Sequence, residues 1–286
     1  MNPLNLVKLT PLMDLTTGRP EVTVGLIDGP IAVSNPDLAG ENIQEIPGST
    51  SGTCSQFDSA ACGHGTFVAG ILRGRRSSAA PAICPDCTML VRPIFSETAS
   101  SNREMPNATP DELAAAIVDC IEAGAHVLNL SVALMQPSSK GEHELEEALD
   151  YAAMRGVIIV AAAGNQGTIG SSAITRHPWV IPVAACDIWG RPINQSNLGN
   201  SIGRRGLSAP GDSITSLGVE GGKLLTLGGT SAAAPFVTGT IALLRSEFPD
   251  ATAAEVKFAA TQAYEPRRTS IVPPLLDAWA SYKFMA

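Results

Sequence analysis

Short apolar runs constrain the fold of this chain more than any other feature of its sequence. They are continuous, so hydrophobic residues occupy successive positions instead of alternating with polar ones. Strands with this pattern are typical of a parallel sheet that is covered on both faces. The five predicted strands are residues 22–27, 89–94, 127–130, 157–162 and 180–185.

Segments with helical features lie between these strands. The second has Thr109 as its predicted N-cap and Pro110 at its first position, and Gly156 is the predicted stop signal of the third. Strand and helix therefore alternate, which predicts an α/β fold: a three-layer α/β/α sandwich with a mostly parallel central sheet and right-handed crossovers. The five predicted helices are residues 65–72, 110–123, 142–154, 231–248 and 252–263.

The composition is that of a globular chain with a sizeable core. Of the 286 residues, 44% are hydrophobic and 16% are charged, which is not typical of disorder. We expect one domain over residues 1–286, with residues 1–21 as an N-terminal arm and residues 265–286 as a C-terminal extension. The polar stretches 47–61 and 97–108 are predicted surface loops.

Charge and hydropathy argue against several classes of partner. The formal net charge of -8 argues against nucleic acid. The one basic cluster, Arg73, Arg75 and Arg76, is interpreted as a solvated loop. No run of 18 apolar residues occurs, so we expect no transmembrane helix and no membrane partner. The first eight residues lack the pattern of a secretory signal, from which we expect a cytoplasmic location.

The six cysteines leave several interpretations open. Cys120 and Cys186 lie in apolar segments and are predicted to be buried thiols. The other four lie in loop-like sequence: Cys54, Cys62, Cys84 and Cys87. The last two have the two-residue spacing of metal knuckles and redox pairs, whereas the first two are spaced wrongly for a common zinc motif. Two local disulfides, a four-cysteine zinc site and free thiols are all compatible with these residues.

Three segments carry candidate catalytic side chains. Asp28 ends an apolar strand and precedes a glycine, at the sheet edge where ligands bind in open α/β folds. His64 stands between two glycines at the start of an apolar helix, in the run Gly-His-Gly-Thr. Ser231 follows a Gly-Gly-Thr turn at another helix start, whose free N–H groups and dipole suit a developing oxyanion. Taken singly, the three are also explained as a turn residue, a helix residue and an N-cap. The remaining histidines have no comparable frame and are interpreted as structural: His126, His143 and His177.

Together these segments resemble the subtilases. The signatures of that family are Asp at a strand end, His in Gly-His-Gly-Thr and Ser in Gly-Thr-Ser-Ala-Ala-Pro, in that order, and all occur within residues 22–262. Ala-Ala-Ala-Gly followed by Asn165 resembles the oxyanion-hole asparagine of the family. The resemblance implies a subtilisin-like serine endopeptidase without a cofactor, with Asp28, His64 and Ser231 as the triad. Asn165 and the backbone N–H of Ser231 would bind the oxyanion.

Two further segments resemble the substrate-binding strands of the family, between which a peptide substrate would lie as an added strand. The segment that pairs with the substrate backbone is Ser131, Val132 and Ala133. The opposite wall of the primary specificity pocket is Ala162, Ala163 and Gly164. Arg176 is expected to approach that pocket and to favour an acidic or polar residue before the cleaved bond; a side chain that points to solvent is the alternative.

The chain departs from secreted subtilisins in ways that point to one branch. Residues 1–21 are too few for a signal peptide and a prodomain. The family has its strong calcium site in the loop that corresponds to residues 73–80, but here that loop offers arginines, which would repel Ca²⁺. We therefore expect no metal.

Residues 26–31, 92–96 and 12–21 are similar to the cyanobactin-maturation proteases, which remove leader or follower sequences from ribosomally made precursor peptides. The macrocyclases of that branch carry a helical insertion between the catalytic Asp and His. Residues 29–63 lack an amphipathic run long enough for it, so we expect hydrolysis.

Three functions are thus compared. The first is a precursor-processing subtilase, the second is a general intracellular subtilase, and the third is an inactive peptide-binding homologue. The complete set of catalytic residues disfavours the third. The sequence decides neither the substrate nor the oligomeric state.

Overall fold

The computed structural model describes residues 2–38, 40, 42–48, 50–80, 82–97, 108–132, 142–262 and 270–286. A seven-stranded sheet, in which every neighbouring pair of strands is parallel, organises the fold. The described strands of the chain are β1 Thr23–Asp28, β2 Ile43–Glu45, β3 Thr88–Pro93, β4 Val127–Leu130, β5 Ile158–Ala162, β6 Val180–Cys186, β7 Leu207–Pro210, β8 Ile214–Leu217 and β9 Leu224–Leu227. The order in the sheet is β2-β3-β1-β4-β5-β6-β7, and β8 and β9 form a separate antiparallel pair.

The five predicted strands are confirmed to within one residue at each end. The strands β2 and β7 of the main sheet were missed, as were β8 and β9 of the separate pair. β2 has three residues and carries the exposed Gln44 and Glu45, and β7 contains Ser208 and Pro210. Neither has the continuous apolar run on which the prediction depended.

The described helices include the five that were predicted, but the first of these begins at Ala60 and not at residue 65. His64 therefore lies inside this helix and not at its start, and the predicted loop 47–61 ends two residues early. Thr109 caps the helix Pro110–Glu122 in a capping box, and Gly156, which follows the helix Glu142–Arg155, has a φ of +68°. The helices are α1 Pro3–Leu6, α2 Leu9–Leu15, α3 Ala60–Arg73, α4 Pro110–Glu122, α5 Glu142–Arg155, α6 Ala173–Arg176, α7 Asn200–Arg205, α8 Thr230–Glu247, α9 Ala253–Gln262 and α10 Ala278–Met285. None of the helices in the described ranges is long and apolar enough to cross a membrane.

Two apolar layers enclose the sheet and give the expected three-layer α/β/α sandwich. Leu26 of β1 packs in the layer that contains α3 and α8, whereas its neighbour Ile27 packs in the layer that contains α4 and α5. Successive residues of a strand point to opposite faces, so both must be apolar when both faces are covered. This explains why the predicted strands are continuous apolar runs.

The two terminal segments are integrated into the fold. The N-terminal arm contains α1 and α2, and Leu9 and Leu12 are fully buried in the main core. In the C-terminal segment, Leu275 bridges β7 at Ser208, and the N–H of Ala278 donates to the carbonyl of residue 7 at 2.9 Å. Both segments are therefore part of the folded core and contact each other.

The sheet topology collects the candidate residues at one edge. The neighbouring parallel strands β1, β4 and β5 end at Asp28, Leu130 and Ala162. The carboxyl ends of parallel strands lie at the same edge, which is where ligands bind in α/β folds. The segments that follow β4 and β5 lead directly into Ser131 and Asn165.

Candidate active site

Asp28 and His64 are in direct contact. Nδ1 of His64 lies 2.7 Å from Oδ1 of Asp28, and the N–H of Gly29 donates to the same oxygen at 2.6 Å. The Asp28 side chain is fully buried and the His64 side chain is 13% exposed. The carboxylate therefore fixes Nδ1 as the protonated nitrogen, which leaves Nε2 as the acceptor.

Two opposing influences set the basicity of His64. Burial lowers its pKa, but the charge of Asp28 and the hydrogen bond to it raise the pKa by more, so that the result lies above the usual value for histidine. Asp28 thus stabilises the imidazolium form. A histidine with this property accepts a proton more readily than a buried histidine without a carboxylate.

The contact between the two residues depends on glycines at the crossing of β1 and α3. A Cβ atom on Gly29 would lie 2.1 Å from the carbonyl oxygen of Ala61, and one on Gly65 would lie 2.5 Å from the carbonyl oxygens of Gly29 and Pro30. The backbones approach too closely for any side chain at these positions. This explains Gly29 and Gly65, the glycines that follow Asp28 and His64 in the sequence.

Ser231 lies in the first turn of α8 and not at its N-cap. The helix begins at Thr230, its N-cap is Gly229 with a φ of +106°, and Pro235 is accommodated one turn into the helix. Ser231 is partly exposed, in a helix whose other early residues are buried. Its hydroxyl is thus placed at a helix N-terminus, where N–H groups without intrahelical partners are available.

Asn165 is held by the residue that precedes Ser231. The N–H and the hydroxyl of Thr230 both donate to Oδ1 of Asn165, at 2.8 Å and 3.0 Å. The same hydroxyl accepts from the N–H of Gly164 at 3.1 Å. Because Oδ1 is used for these contacts, the Asn165 amide group directs its NH₂ away from Thr230. Asn165 itself is exposed, so this NH₂ can reach a ligand.

Ser131 is connected to the same cluster through its hydroxyl group. It donates to the carbonyl of Ser231 at 3.1 Å and accepts from Nδ2 of Asn129 at 2.7 Å, while Oδ1 of Asn129 accepts from Thr238 at 2.8 Å. Ser131 and Val132 are buried. Ala133 lies outside the described residues.

Hydrogen bonds also hold the predicted wall of the specificity pocket, residues 162–164. Ala162 and Ala163 are buried, and Gly164 has a φ of +106°. Nδ2 of Asn197 donates to the carbonyl of Ala163 at 3.2 Å and to Oε1 of Gln166 at 2.6 Å. A Cβ atom on Gly164 would lie 2.3 Å from that Nδ2 atom, which explains the glycine.

Thr230, Asn129 and Asn197 were not singled out in the sequence, although each positions a candidate residue. An asparagine inside the apolar strand β4 is a signal that could have identified Asn129, because a buried polar group needs hydrogen-bond partners. Thr230 stands within the Gly-Thr-Ser signature, but its contact with Asn165 joins residues 65 positions apart.

The expectation for Arg176 is not supported. Its guanidinium donates to the carboxylates of Glu142 and Glu146 on α5, at 3.1 Å and 3.2 Å. Both contacts raise the pKa of Arg176. The charge is therefore already paired with two acidic groups and is not available to attract an acidic substrate residue.

The cysteines resolve into one disulfide and four free thiols. Cys54 and Cys62 are bonded to each other, and all four other cysteines are buried and free. The prediction for Cys120 and Cys186 is confirmed, and burial raises the pKa of each to about 12. The four-cysteine zinc site is wrong, because the sulfurs of Cys54 and Cys62 are joined; of the two expected disulfides only one is present.

The other histidines have contacts away from Ser231. His126 accepts from the N–H of Thr23 at 3.1 Å, His177 pairs with Asp150 at 3.1 Å, and His143 is an exposed partner of Glu147 within α5.

The loop after α3 is organised by an arginine. The guanidinium of Arg76 donates to the carbonyls of Met13 and Thr16 in the N-terminal arm, and to those of Ala82 and Ile83. The interpretation of the basic cluster as a solvated loop is therefore wrong for two of its members: Arg76 is partly buried and Arg73 is buried at the end of α3, whereas Arg75 is exposed. A side-chain cation thus ties together four carbonyl oxygens, the type of ligand that Ca²⁺ prefers.

The described part of residues 29–59 contains the short strand β2 and no helix, and α3 begins at Ala60. This agrees with the expectation that the interval between Asp28 and His64 lacks a helical insertion.

Comparison with known proteins places these features in a family. The sequence model of the subtilase family, Peptidase S8, matches residues 19–270. Mycosin-3 of Mycobacterium tuberculosis is 31% identical over an alignment that covers 82% of this chain and 59% of mycosin-3. Subtilisin DY of Bacillus licheniformis is 30% identical, with 82% of this chain and 81% of that protein covered. The chain thus spans about three-fifths of mycosin-3.

Solved structures are similar over nearly the whole chain. A mutant of the protease domain of PatA has a TM-score of 0.84 and 29% identity, with 94% of this chain and 96% of that chain covered. Prenylagaramide maturation protease PagA has a TM-score of 0.83 and 26% identity, with 97% and 98% covered. The PatG macrocyclase domain, at 22% identity and a TM-score of 0.79, shares the fold.

Proposed function

Because the chain belongs to the subtilase family, we propose that it is a serine endopeptidase in which Ser231 is the nucleophile, His64 the general base and Asp28 the group that orients His64. The observation that carries this proposal is the Asp28–His64 hydrogen bond of 2.7 Å, at the sheet edge where Asn165 is held beside Ser231. The proposed chemistry needs no cofactor.

Acylation begins when His64 removes the proton of the Ser231 hydroxyl. A serine hydroxyl is a weak nucleophile until a base takes this proton. The oxygen attacks the substrate carbonyl, and His64 then gives the proton to the leaving amine. Asp28 stabilises the imidazolium that exists between the two transfers and does not itself take up the proton.

The tetrahedral intermediate requires donors for its oxyanion. The NH₂ of Asn165 and the N–H of Ser231 supply them, because Oδ1 of Asn165 is occupied by Thr230. Donors that are oriented before the reaction cost no reorganisation when the charge develops. The acyl-enzyme is then hydrolysed by water, with His64 acting again as the base.

We propose that the substrate is a ribosomally made precursor peptide, from which the enzyme removes a leader. Support comes from the likeness to PatA and PagA, two proteins whose structures are described as maturation proteases. The peptide would lie as an extended strand between residues 131–133 and 162–164, which leaves its side chains to alternate pockets. The cytoplasm, where such precursors are made, is the proposed location.

The general intracellular subtilase is the second candidate, since the chain is also similar to subtilisin DY. Incubation with a leader-bearing precursor peptide and with unfolded casein separates the two. Processing predicts one cut in the precursor and at most slow cleavage of casein. Many cuts in both substrates would contradict the precursor proposal and favour the general peptidase. A control peptide with a scrambled leader tests whether the leader is recognised.

A further inference from the structure

The Cys54–Cys62 disulfide closes a ring of contacts around the Asp28–His64 pair. Cys62 lies in the first turn of α3, two residues before His64, and its Cα is 5.6 Å from that of Cys54. On the other side, Ile31 follows Asp28 by three residues and bridges the segment that carries Cys54. The N–H of Ile31 donates to residue 52 at 2.9 Å, and the N–H of Cys54 donates to the carbonyl of Ile31 at 3.0 Å.

The exposed part of the loop between the two cysteines has few other contacts, whereas Ser59 and Ala61, next to Cys62, are buried. Among residues 53–58, Phe57 is 59% exposed, and no side chain of this loop is fully buried. Its second attachment is Glu97, whose carboxylate accepts from the N–H groups of Ser55 and Gln56 at 2.8–2.9 Å. The cap of α3 is also weak, because Ser59 accepts from the N–H of Cys62 at 3.5 Å. The covalent link therefore restrains the first turn of α3 together with the buried Ala61 and the 3.0 Å hydrogen bond from the N–H of Gly63 to the carbonyl of Ser59.

We propose that the Cys54–Cys62 disulfide is a positioning element for catalysis: it holds the start of α3 so that His64 keeps its hydrogen bond with Asp28. Reduction of this disulfide by a dithiol therefore lowers the turnover of the enzyme, and reoxidation restores it. The inference rests on the proposed function.

The reduction is chemically accessible from one side. Cys54 is partly exposed and Cys62 is fully buried. A thiolate of the dithiol attacks Sγ of Cys54, and Cys62 leaves as a thiolate that takes up a proton. The second thiol of the reductant then displaces Cys54. Two electrons pass from the dithiol to the protein, so that two protein thiols and one reductant disulfide result.

The consequence for His64 has a definite sign. Asp28 on β1 is the charged group that acts on His64. The strand β8 and the helix α8 also pack against α3. Neither places a charge near His64, because β8 has no charged residue and the charged residues of α8 lie in its last turn, far from Ser231. If the first turn of α3 loosens, the contribution of Asp28 falls while burial continues to lower the pKa. The pKa of His64 therefore decreases on reduction.

The experiment compares the oxidised protein with the same protein reduced by dithiothreitol. Turnover of a chromogenic peptide and the NMR titration of the His64 ring are measured in both forms, with the ring signal assigned by its loss in His64→Gln. We expect kcat to fall about tenfold, as for a small misplacement of a catalytic group, with KM changed less than twofold. The midpoint of the His64 titration should move to lower pH, and reoxidation should restore both values.

The variant Cys54→Ser/Cys62→Ser provides the matched control. It should behave like the reduced protein and should not respond to dithiothreitol, which excludes an effect through the four buried thiols. If the midpoint of the His64 titration did not change on reduction, the inference would be overturned. A decrease in Tm alone would then mean that the disulfide stabilises the fold without positioning His64. Labelling of the oxidised form by a fluorophosphonate tests the proposed function separately. If it failed, the NMR comparison would still decide whether the disulfide positions His64.

Discussion

The side-chain oxygen of Asn165 accepts two hydrogen bonds from Thr230, one from its N–H at 2.8 Å and one from its hydroxyl at 3.0 Å. Thr230→Val keeps the first bond and removes the second, so the Asn165 amide becomes less well oriented. We expect kcat to fall about tenfold with little change in KM, because an oxyanion donor acts on the transition state. Steady-state kinetics check this. Thr226→Val, which removes an exposed contact with Thr215 on the β8–β9 hairpin, should leave kcat unchanged; an equal loss there would refute the role of Thr230.

The pH dependence of the reaction reports the Asp28–His64 pair. Because Asp28 raises the pKa of His64, and only the neutral imidazole is a base, the acid limb of kcat/KM should lie at higher pH than for an unperturbed histidine. Asp28→Asn removes this contribution and leaves burial, which lowers the pKa. The acid limb should then move to lower pH, and kcat should fall about 10⁴-fold, the scale seen in other serine peptidases after loss of the triad carboxylate. A shift of the limb to higher pH would contradict the assignment.

Arg76 should stabilise the loop after α3 in place of a metal ion. Arg76→Ala leaves four carbonyl groups without their donor, and we expect Tm to fall by about 5 to 10 °C. Arg75→Ala, at the exposed neighbouring position, is the matched control and should change Tm little. EDTA should alter neither Tm nor activity. A large loss of Tm in EDTA that Ca²⁺ restores would show that a metal site is present after all.

The sequence was sufficient for the parts of the fold that local patterns determine. Continuous apolar runs predicted five of the seven strands of the main sheet, and the Thr109 cap and Gly156 predicted helix ends. The short strands β2 and β7 are formed by pairing with their neighbours rather than by their own composition. The same is true of the N-terminal arm, whose Leu9 and Leu12 are buried by contacts that its sequence alone does not reveal.

In the candidate site, too, local motifs were predictable from the sequence and contacts between distant segments were not. Asp28, His64, Asn165 and Ser231 were identified because they stand in recognisable motifs. The contacts that orient them join distant segments, as between Thr230 and Asn165. The pairing of Arg176 with Glu142 and Glu146 likewise depends on how α5 and α6 pack, so the sequence could not assign that charge to either the pocket or the surface.

The fate of the acyl-enzyme should follow from the short interval between Asp28 and His64. Without a helical cover, water has access to the acyl-enzyme and competes with any substrate amine. We expect linear products whose masses sum to that of the precursor plus one water. Mass spectrometry of the reaction mixture distinguishes this result from a cyclic product, which lacks that water. A dominant cyclic product would refute hydrolysis as the outcome, although it would not refute the acyl-enzyme.

The central claim is that Ser231 forms the acyl-enzyme, and covalent labelling tests it most directly. Intact-protein mass spectrometry after treatment with a fluorophosphonate should show one adduct, and peptide mapping should locate it on Ser231. Ser131→Ala, which removes the nearby hydroxyl that donates to the carbonyl of Ser231, should still be labelled. Ser231→Ala should lose both the adduct and peptidase activity. An unlabelled wild-type protein, or full activity in Ser231→Ala, would contradict the account.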